Sequence, residues 1–159
     1  MNQVLLDITK HLNTKFQIIP ILYASFAVEK VLGIDLEAKD IDLLIPKHHF
    51  LSRHDIITYL LFQGYEYIHD EVIHLTKDGI DIELADEDYW IKHCHLEPKD
   101  FHTIHENQVT YQILGARNLV NLYGYLLSLK HRSIEKKQKD LAKIDMLNQF
   151  ISNHQCLLD

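Results

Sequence analysis

The segment Asp40-Ile-Asp-Leu-Leu-Ile-Pro46 constrains the fold of this chain more than any other. Its apolar run predicts a buried strand, and Pro46, which has no N–H for a strand ladder, ends it. Successive side chains of a strand point to opposite faces, so Asp40 and Asp42 leave the same face. Two carboxylates at that range repel each other unless a cation lies between them. The segment therefore indicates either a solvated strand end or a divalent-metal site, and Mg²⁺ is the ion that prefers such oxygen ligands.

A helix, a strand and a second helix precede this segment. Apolar residues recur at helical spacing over 2–13, and 18–23 is a short run rich in β-branched residues that predicts a strand. Ala24-Ser25 then forms a strand-to-helix turn. Ser25 is the expected N-cap of a helix that extends to about Leu32.

A helix and a hairpin follow. The pattern over 52–64 predicts a helix, and two alternating runs around Lys77-Asp78-Gly79 predict a hairpin over 71–84. In the second arm of the hairpin, Asp81 and Glu83 share one face. Residues 86–107 show no sustained period, so we expect a loop there with room for one short helix.

The end of the chain is helical after one more strand. Residues 109–114 predict the strand, and 116–130 and 133–153 predict two helices. The expected class is therefore α/β (α+β), with a mixed sheet of about five or six strands flanked by helices and a C-terminal helical pair. We expect residues 1–114 to form the core and residues 115–159 to form a helical extension packed on the same domain.

Charge and composition exclude several classes of protein. The chain has 16 Lys and Arg against 23 Asp and Glu, a net charge of −7, so a protein held to nucleic acid by its overall charge is excluded. The longest uncharged run, 17–28, is too short to cross a bilayer. Two cysteines, Cys94 and Cys156, fit a reducing compartment. We expect a cytoplasmic protein with no membrane segment and no nucleic-acid partner.

The order of these motifs resembles that of the nucleotidyltransferase superfamily, which has the DNA polymerase beta-like fold. The matching parts are Tyr23-Ala-Ser-Phe-Ala-Val28, the strand that starts at Asp40, and the later pair Asp81 and Glu83. The run Lys139-Asp-Leu-Ala-Lys-Ile-Asp-Met-Leu147 is similar to a basic helix of that superfamily. In detail the chain is similar to a small, little-characterised bacterial subgroup of minimal nucleotidyltransferase-like proteins.

This resemblance implies an activity, a cofactor and a set of site residues. The activity is Mg²⁺-dependent transfer of a nucleoside monophosphate from an NTP to a small molecule or a partner protein, with two Mg²⁺ ions. The implied metal ligands and catalytic acids are Asp40, Asp42 and Asp81, with Glu83 as the alternative third acid. The turn residues Ala24 and Ser25 would meet the phosphates of the nucleotide.

Lysines near the C-terminus add to the implied nucleotide site. Six of the 16 basic residues lie between Lys130 and Lys143, and Lys136, Lys139 and Lys143 fall along one helix face. That face is either solvated or turned toward the triphosphate. In the second case Lys130, Lys136 and Lys139 would bind the nucleotide.

Two other functions compete with the transferase. Ala24 stands where the superfamily has Gly, and a Cβ at that point would obstruct the approach of phosphate to the backbone. This departure favours a catalytically inactive binding module that keeps the fold, such as a regulatory or toxin–antitoxin-type partner. A third hypothesis is a zinc site built from His93, Cys94 and His95, although their spacing matches no known zinc motif.

Overall fold

A single mixed β-sheet lies at the centre of the structure, a computed structural model that describes residues 1–155. Cys156 lies outside the described residues. In strand order the sheet of the described residues runs β3-β4-β5-β2-β1-β7-β6. The strands are β1 (Ile21–Tyr23), β2 (Asp40–Ile45), β3 (Glu66–His69), β4 (Ile73–Lys77), β5 (Ile80–Asp86), β6 (Phe101–Glu106) and β7 (Val109–Leu114).

Helices flank this sheet, as the mixed α/β class requires. They are α1 (Asn2–Phe16), α2 (Ala24–Leu32), α3 (Lys47–Leu51), α4 (Arg53–Phe62), α5 (Glu87–Cys94), α6 (Ala116–Ser128) and α7 (Ile134–Gln155). The last two pack against each other, and α6 also contacts α2 and α5. The expected fold class, with its C-terminal helical pair, is confirmed.

The two faces of the central strands differ in chemistry. Strand β2 is antiparallel to β1 and parallel to β5, so paired residues share a face. One face, here called the acidic face, carries Asp40 and Asp42 of β2. The other, the apolar face, carries Leu43, which pairs with Leu22 of β1 and with Leu84 of β5. All three leucines are fully buried, so the apolar face holds the centre of the core.

The sheet has seven strands in the described residues, more than the five or six expected, because the edge strands were missed. Strands β3 and β6 lie at the two ends of the strand order, and most of their side chains are exposed or half-buried. An edge strand pairs on one side only and carries polar residues, so its alternation of apolar residues is weak. Over 86–107, where a loop with room for one short helix was expected, the structure has that short helix, α5, but also the strand β6, which was missed for this reason.

Two local expectations about helix starts are also corrected. Ser25 is not the N-cap of α2, because the helix begins one residue earlier and Tyr23 occupies the cap position. Ser52 does occupy the position before α4, but its side chain makes no capping hydrogen bond. The hydroxyl of Ser25 is therefore available for contacts other than capping.

Candidate functional site

Four acidic side chains lie on the acidic face, on two adjacent strands. The parallel register of β2 and β5 sets Asp40 opposite Asp81 and Asp42 opposite Glu83. Neighbouring strands of a sheet lie about 5 Å apart. The two carboxylate pairs predicted from separate segments are thus brought together by the fold.

Burial and mutual repulsion perturb these carboxyl groups. Asp42 is only 8% exposed, and burial, with Asp40 and Glu83 beside it, raises its pKa well above the usual value. Burial also raises the pKa of the half-buried Glu83. Asp81 is exposed, and its Oδ1 lies 3.5 Å from Nε2 of His74. A cation placed among these groups would relieve the repulsion that they now impose on each other.

The start of α2 lies beside these acids. Tyr23 pairs with Asp42 across β1 and β2, and Ala24 follows it with a left-handed φ of +59°. Ser25, in the first turn of α2, accepts a hydrogen bond at 2.8 Å from Nζ of Lys143 in α7. The site therefore combines a helix N-terminus, a hydroxyl and an ammonium group, three features that bind anions.

Lys143 is held in this position by its surroundings. Its Nζ lies 4.9 Å from the ring centre of Tyr123, and burial lowers its pKa. The hydroxyl of Tyr123 is buried and faces the hydroxyl of Ser25. Two hydroxyl groups and one ammonium group therefore lie together at this corner.

An aromatic cluster borders the acidic face. Trp90 of α5 lies 5.3 Å from Tyr23 between ring centres and 6.2 Å from Tyr125 of α6. The hydroxyls of Tyr89 and Tyr125 are 2.9 Å apart, and His93 stacks on Tyr89 at 4.1 Å between ring centres. Tyr89 and His93 are exposed, so this cluster offers ring surface to a ligand.

Comparisons with solved structures identify the fold. The chain is similar to an antigenic nucleotidyltransferase-like protein from Paracoccidioides brasiliensis, with a TM-score of 0.60, 16% identity, and coverage of 91% of this chain and 73% of that chain. It is also similar to ANT(2″)-Ia in complex with adenylyl-2″-tobramycin, with a TM-score of 0.63, 11% identity, and coverage of 99% and 94%. This chain has the nucleotidyltransferase fold.

Two further comparisons give another solved structure and a sequence relative. The lincosamide antibiotic adenylyltransferase LnuA, bound to lincomycin, matches with a TM-score of 0.58, 13% identity, and coverage of 91% of this chain and 92% of that chain. In sequence, the uncharacterized protein YnaI of Bacillus subtilis (strain 168) is 28% identical over 158 residues, which cover 93% of this chain and 96% of that protein. No family model matches the chain.

Within the nucleotidyltransferase fold, one lysine of α7 contacts a residue of the candidate site. Lys143 contacts Ser25, whereas Lys130 and Lys136 are exposed and Lys139 pairs with Glu135 at 2.7 Å. The sequence placed Lys143 on the same helix face as Lys136 and Lys139, but it did not single it out. The sequence contained the information needed to include Lys143, because it follows Lys139 by one helical turn and therefore lies on the same face of the helix.

No preformed metal cluster accompanies these residues. In the part of the chain that the structure describes, no three His, Cys, Asp or Glu side chains are grouped closely enough to hold an ion as they stand. The zinc hypothesis is wrong in its geometry: Cys94 is buried at the end of α5, His93 stacks on Tyr89, and His95 ends the helix in a left-handed conformation. Among the described helices, none is long and apolar enough to cross a membrane.

Proposed function

We propose that this chain is a Mg²⁺-dependent nucleotidyltransferase that moves a nucleoside monophosphate from an NTP to a hydroxyl of a small molecule or a partner protein. The observation that carries the proposal is the register of β2 and β5, which sets Asp42 opposite Glu83 and Asp40 opposite Asp81 beside the start of α2. An acidic set next to an anion-binding corner suits a substrate that is both phosphorylated and metal-bound.

The donor set suits Mg²⁺ chemically. The candidate ligands are carboxylate oxygens, which Mg²⁺ prefers, and it usually shares one or two of them with substrate phosphates. The crowding that raises the pKa of Asp42 supports this fit, because a divalent ion would stabilise the ionised form. Asp40 and Asp42 are the proposed pair. Glu83, half-buried and opposite Asp42, is better placed as the third acid than the exposed Asp81.

The other residues bind and orient the nucleotide. The N–H groups at the start of α2, the hydroxyl of Ser25 and the ammonium group of Lys143 would hold the triphosphate. The acceptor oxygen then bonds to the α-phosphorus, the bond from that phosphorus to pyrophosphate breaks, and the acceptor proton passes to a carboxylate or to solvent. Bound Mg²⁺ would supply charge neutralisation on the phosphates and favour the ionised acceptor.

The acceptor would lie against the aromatic cluster. Small-molecule ligands are bound in two of the similar solved structures, adenylyl-2″-tobramycin in ANT(2″)-Ia and lincomycin in LnuA. Tyr89, Trp90 and Tyr125 offer ring surface beside the acids, which would pack against the apolar faces of such a molecule. The small-molecule acceptor and the cytoplasmic location both belong to this proposal.

Calorimetric titration of ATP and GTP, with and without MgCl₂, tests the proposal. We expect Mg²⁺-dependent binding by the native chain and at least a tenfold loss of affinity in Asp42→Asn, which keeps the side-chain shape. Asp145→Asn removes an exposed carboxylate of α7 and is the matched control, with unchanged binding expected. Nucleotide binding that ignores Mg²⁺, or that survives Asp42→Asn, would contradict the proposal.

A binding module without turnover is the second candidate, and Ala24 favours it. Its Cβ stands at the turn where phosphate would approach the backbone, at a φ that favours glycine. This function predicts a stable complex with a partner protein that survives Asp42→Asn. A complex lost in Asp42→Asn, or a chain that transfers label from an α-labelled NTP, would exclude the module.

A further inference from the structure

A cavity of about 780 Å³ lies on the apolar face of the sheet, away from the carboxylates. Ile104 of β6 and Ile113 of β7 line it. Ile113 pairs with Leu22, which belongs to the apolar face, so the sheet separates this cavity from Asp42. The volume falls in the range of small-molecule sites, about 300 to 1,000 Å³.

The large apolar side chains of the cavity wall come from two helices and two strands. Val31 of α2 and Phe150 and Ile151 of α7 face the two isoleucines of the sheet. Cavity walls of this kind would bury the hydrocarbon part of a ligand, at about 25 cal/mol for each Å² of apolar surface removed from water.

The charges at the two ends of the cavity are not equivalent. At one end, Asn2 bridges a positive and a negative group: it accepts from Nζ of Lys30 at 2.8 Å and donates to Glu106 at 3.2 Å. These groups satisfy each other. At the other end, the exposed Arg117 makes no side-chain hydrogen bond or ion pair with any described residue, although Asp100 lines the same cavity and Glu97 lies in the adjoining surface pocket that Arg117 also lines.

The start of α6 strengthens the positive end. Gly115, Ala116 and Arg117 line the cavity, α6 is 13 residues long, and its first turn carries no acid and no capping side chain. The N-terminus of a helix attracts anions through its unpaired N–H groups and its dipole. Arg117 adds a full positive charge to that field.

We propose that this cavity is a second ligand site, which takes a small molecule with an apolar tail and a carboxylate directed at Arg117 and the start of α6. The apolar walls select the tail, and Arg117 together with the N–H groups at the start of α6 selects the anion. This cavity is separate from the proposed nucleotide site, so its ligand binding can be tested independently of the proposed transferase activity.

Calorimetry with octanoate and octylammonium tests this site, because the two probes have the same tail and opposite charge. We expect octanoate to bind the full chain at least tenfold more tightly than octylammonium. Arg117→Gln should weaken octanoate binding about tenfold, as expected for loss of a charge-assisted contact. Arg53→Gln, which removes an arginine that bonds to Glu71 instead, should leave octanoate binding unchanged.

A cavity-filling variant gives a second measurement that does not depend on charge. Val31→Phe adds bulk to the wall and should abolish octanoate binding while the circular dichroism spectrum stays native. Equal binding of the two probes, or full octanoate binding by Val31→Phe, would overturn the proposal. The proposal would also be overturned if octanoate bound a chain that ends at Gln155 but did not bind the full chain, because residues 156–159 would then be the occupant of the cavity.

Discussion

At Ala24 the backbone adopts a conformation that the residue does not favour, and the position is the turn of the candidate site. Its φ of +59° is left-handed, where a Cβ approaches the following carbonyl oxygen. Strain of this kind persists only where the surrounding structure imposes it. Here β1 ends in the core at Tyr23 and α2 begins at once, so the chain must turn within one residue.

Replacement of Ala24 by Gly should therefore stabilise the protein. The left-handed conformation costs Ala about 1 to 2 kcal/mol, and Gly costs about 0.5 to 1 kcal/mol through greater freedom in the unfolded chain. The difference predicts a net gain of about 0.5 to 1 kcal/mol. Urea unfolding followed by circular dichroism measures it as a higher midpoint.

Ala27→Gly is the matched control for this prediction. Ala27 lies in the same helix, fully buried, so the change should destabilise the protein through the backbone and through the lost methyl group. Opposite signs for the two variants would attribute the gain at position 24 to its backbone conformation. A loss of stability in Ala24→Gly would refute the argument.

At the scale of elements, a buried ion pair fixes the turn between α6 and α7. Arg132 donates two hydrogen bonds to Asp140, one of them at 2.9 Å from Nη2, and Asp140 is 1% exposed. The bond to Asp140 raises the pKa of Arg132 further above its already high value. Because Lys143 lies one turn after Asp140, this pair also sets how α7 presents Lys143 to Ser25.

Arg132→Met should destabilise the protein by about 3 kcal/mol, because it leaves the carboxylate of Asp140 buried without its partner. Thermal and urea unfolding both measure the loss. Lys139→Met, the control, breaks the exposed pair with Glu135 on the same helix and should leave the midpoint essentially unchanged. Equal effects in the two variants would show that burial of Asp140 does not matter.

Elements with strong periodicity were predictable from the sequence, and edge elements were not. Strand β2 was predicted from the apolar run between Asp40 and Pro46, and β5 was predicted from the alternating apolar residues of the second hairpin arm. Strands β3 and β6 were not predicted, because their exposed and half-buried side chains give a sequence pattern like that of a loop. Helix α5 was expected only as one short helix without bounds, because the surrounding His and Pro residues hid its period; it begins after Asp86, whose carboxylate accepts a hydrogen bond from the N–H of Asp88.

The candidate site also has parts that the sequence predicted and parts that it did not. Spacing along one strand predicted that Asp40 and Asp42 share a face, because that depends only on the local backbone. The pairing of Asp42 with Glu83 depends on the register between β2 and β5, which no local pattern contains. The contact of Lys143 with Ser25 spans 118 positions and depends on how α7 packs against α2.

At the scale of the whole molecule, two helices contribute residues both to the candidate site and to the cavity. Helix α2 carries Ser25 at its start and Val31 in the cavity near its end, and α7 carries Lys143 and then Phe150 along the same path. The sheet keeps the acids on one side and the apolar cavity on the other. Under the two proposals, one small fold would bind two chemically distinct ligands.

The ionisation of the Cys94 thiol depends on whether the packed core of the protein is folded. It is 2% exposed in the core where α5 packs against α6, and burial raises its pKa to about 12. A pKa that is raised on folding means that the thiol favours the native state fully below its unfolded pKa, about 8.5. That contribution is lost as the pH rises from about 8.5 toward the folded value.

The free energy of unfolding should therefore fall with pH above about 8.5 by up to about 1.4 kcal/mol per pH unit because of this one group. Urea titrations of Cys156→Ser and of the double variant Cys94→Ala/Cys156→Ser, between pH 7 and pH 10, isolate the effect. The lost volume of the alanine variant is the same at every pH, so only the slopes are compared. Parallel pH profiles would mean that Cys94 ionises as easily in the native protein as in the unfolded chain, and that the α5–α6 contact leaves it open to water.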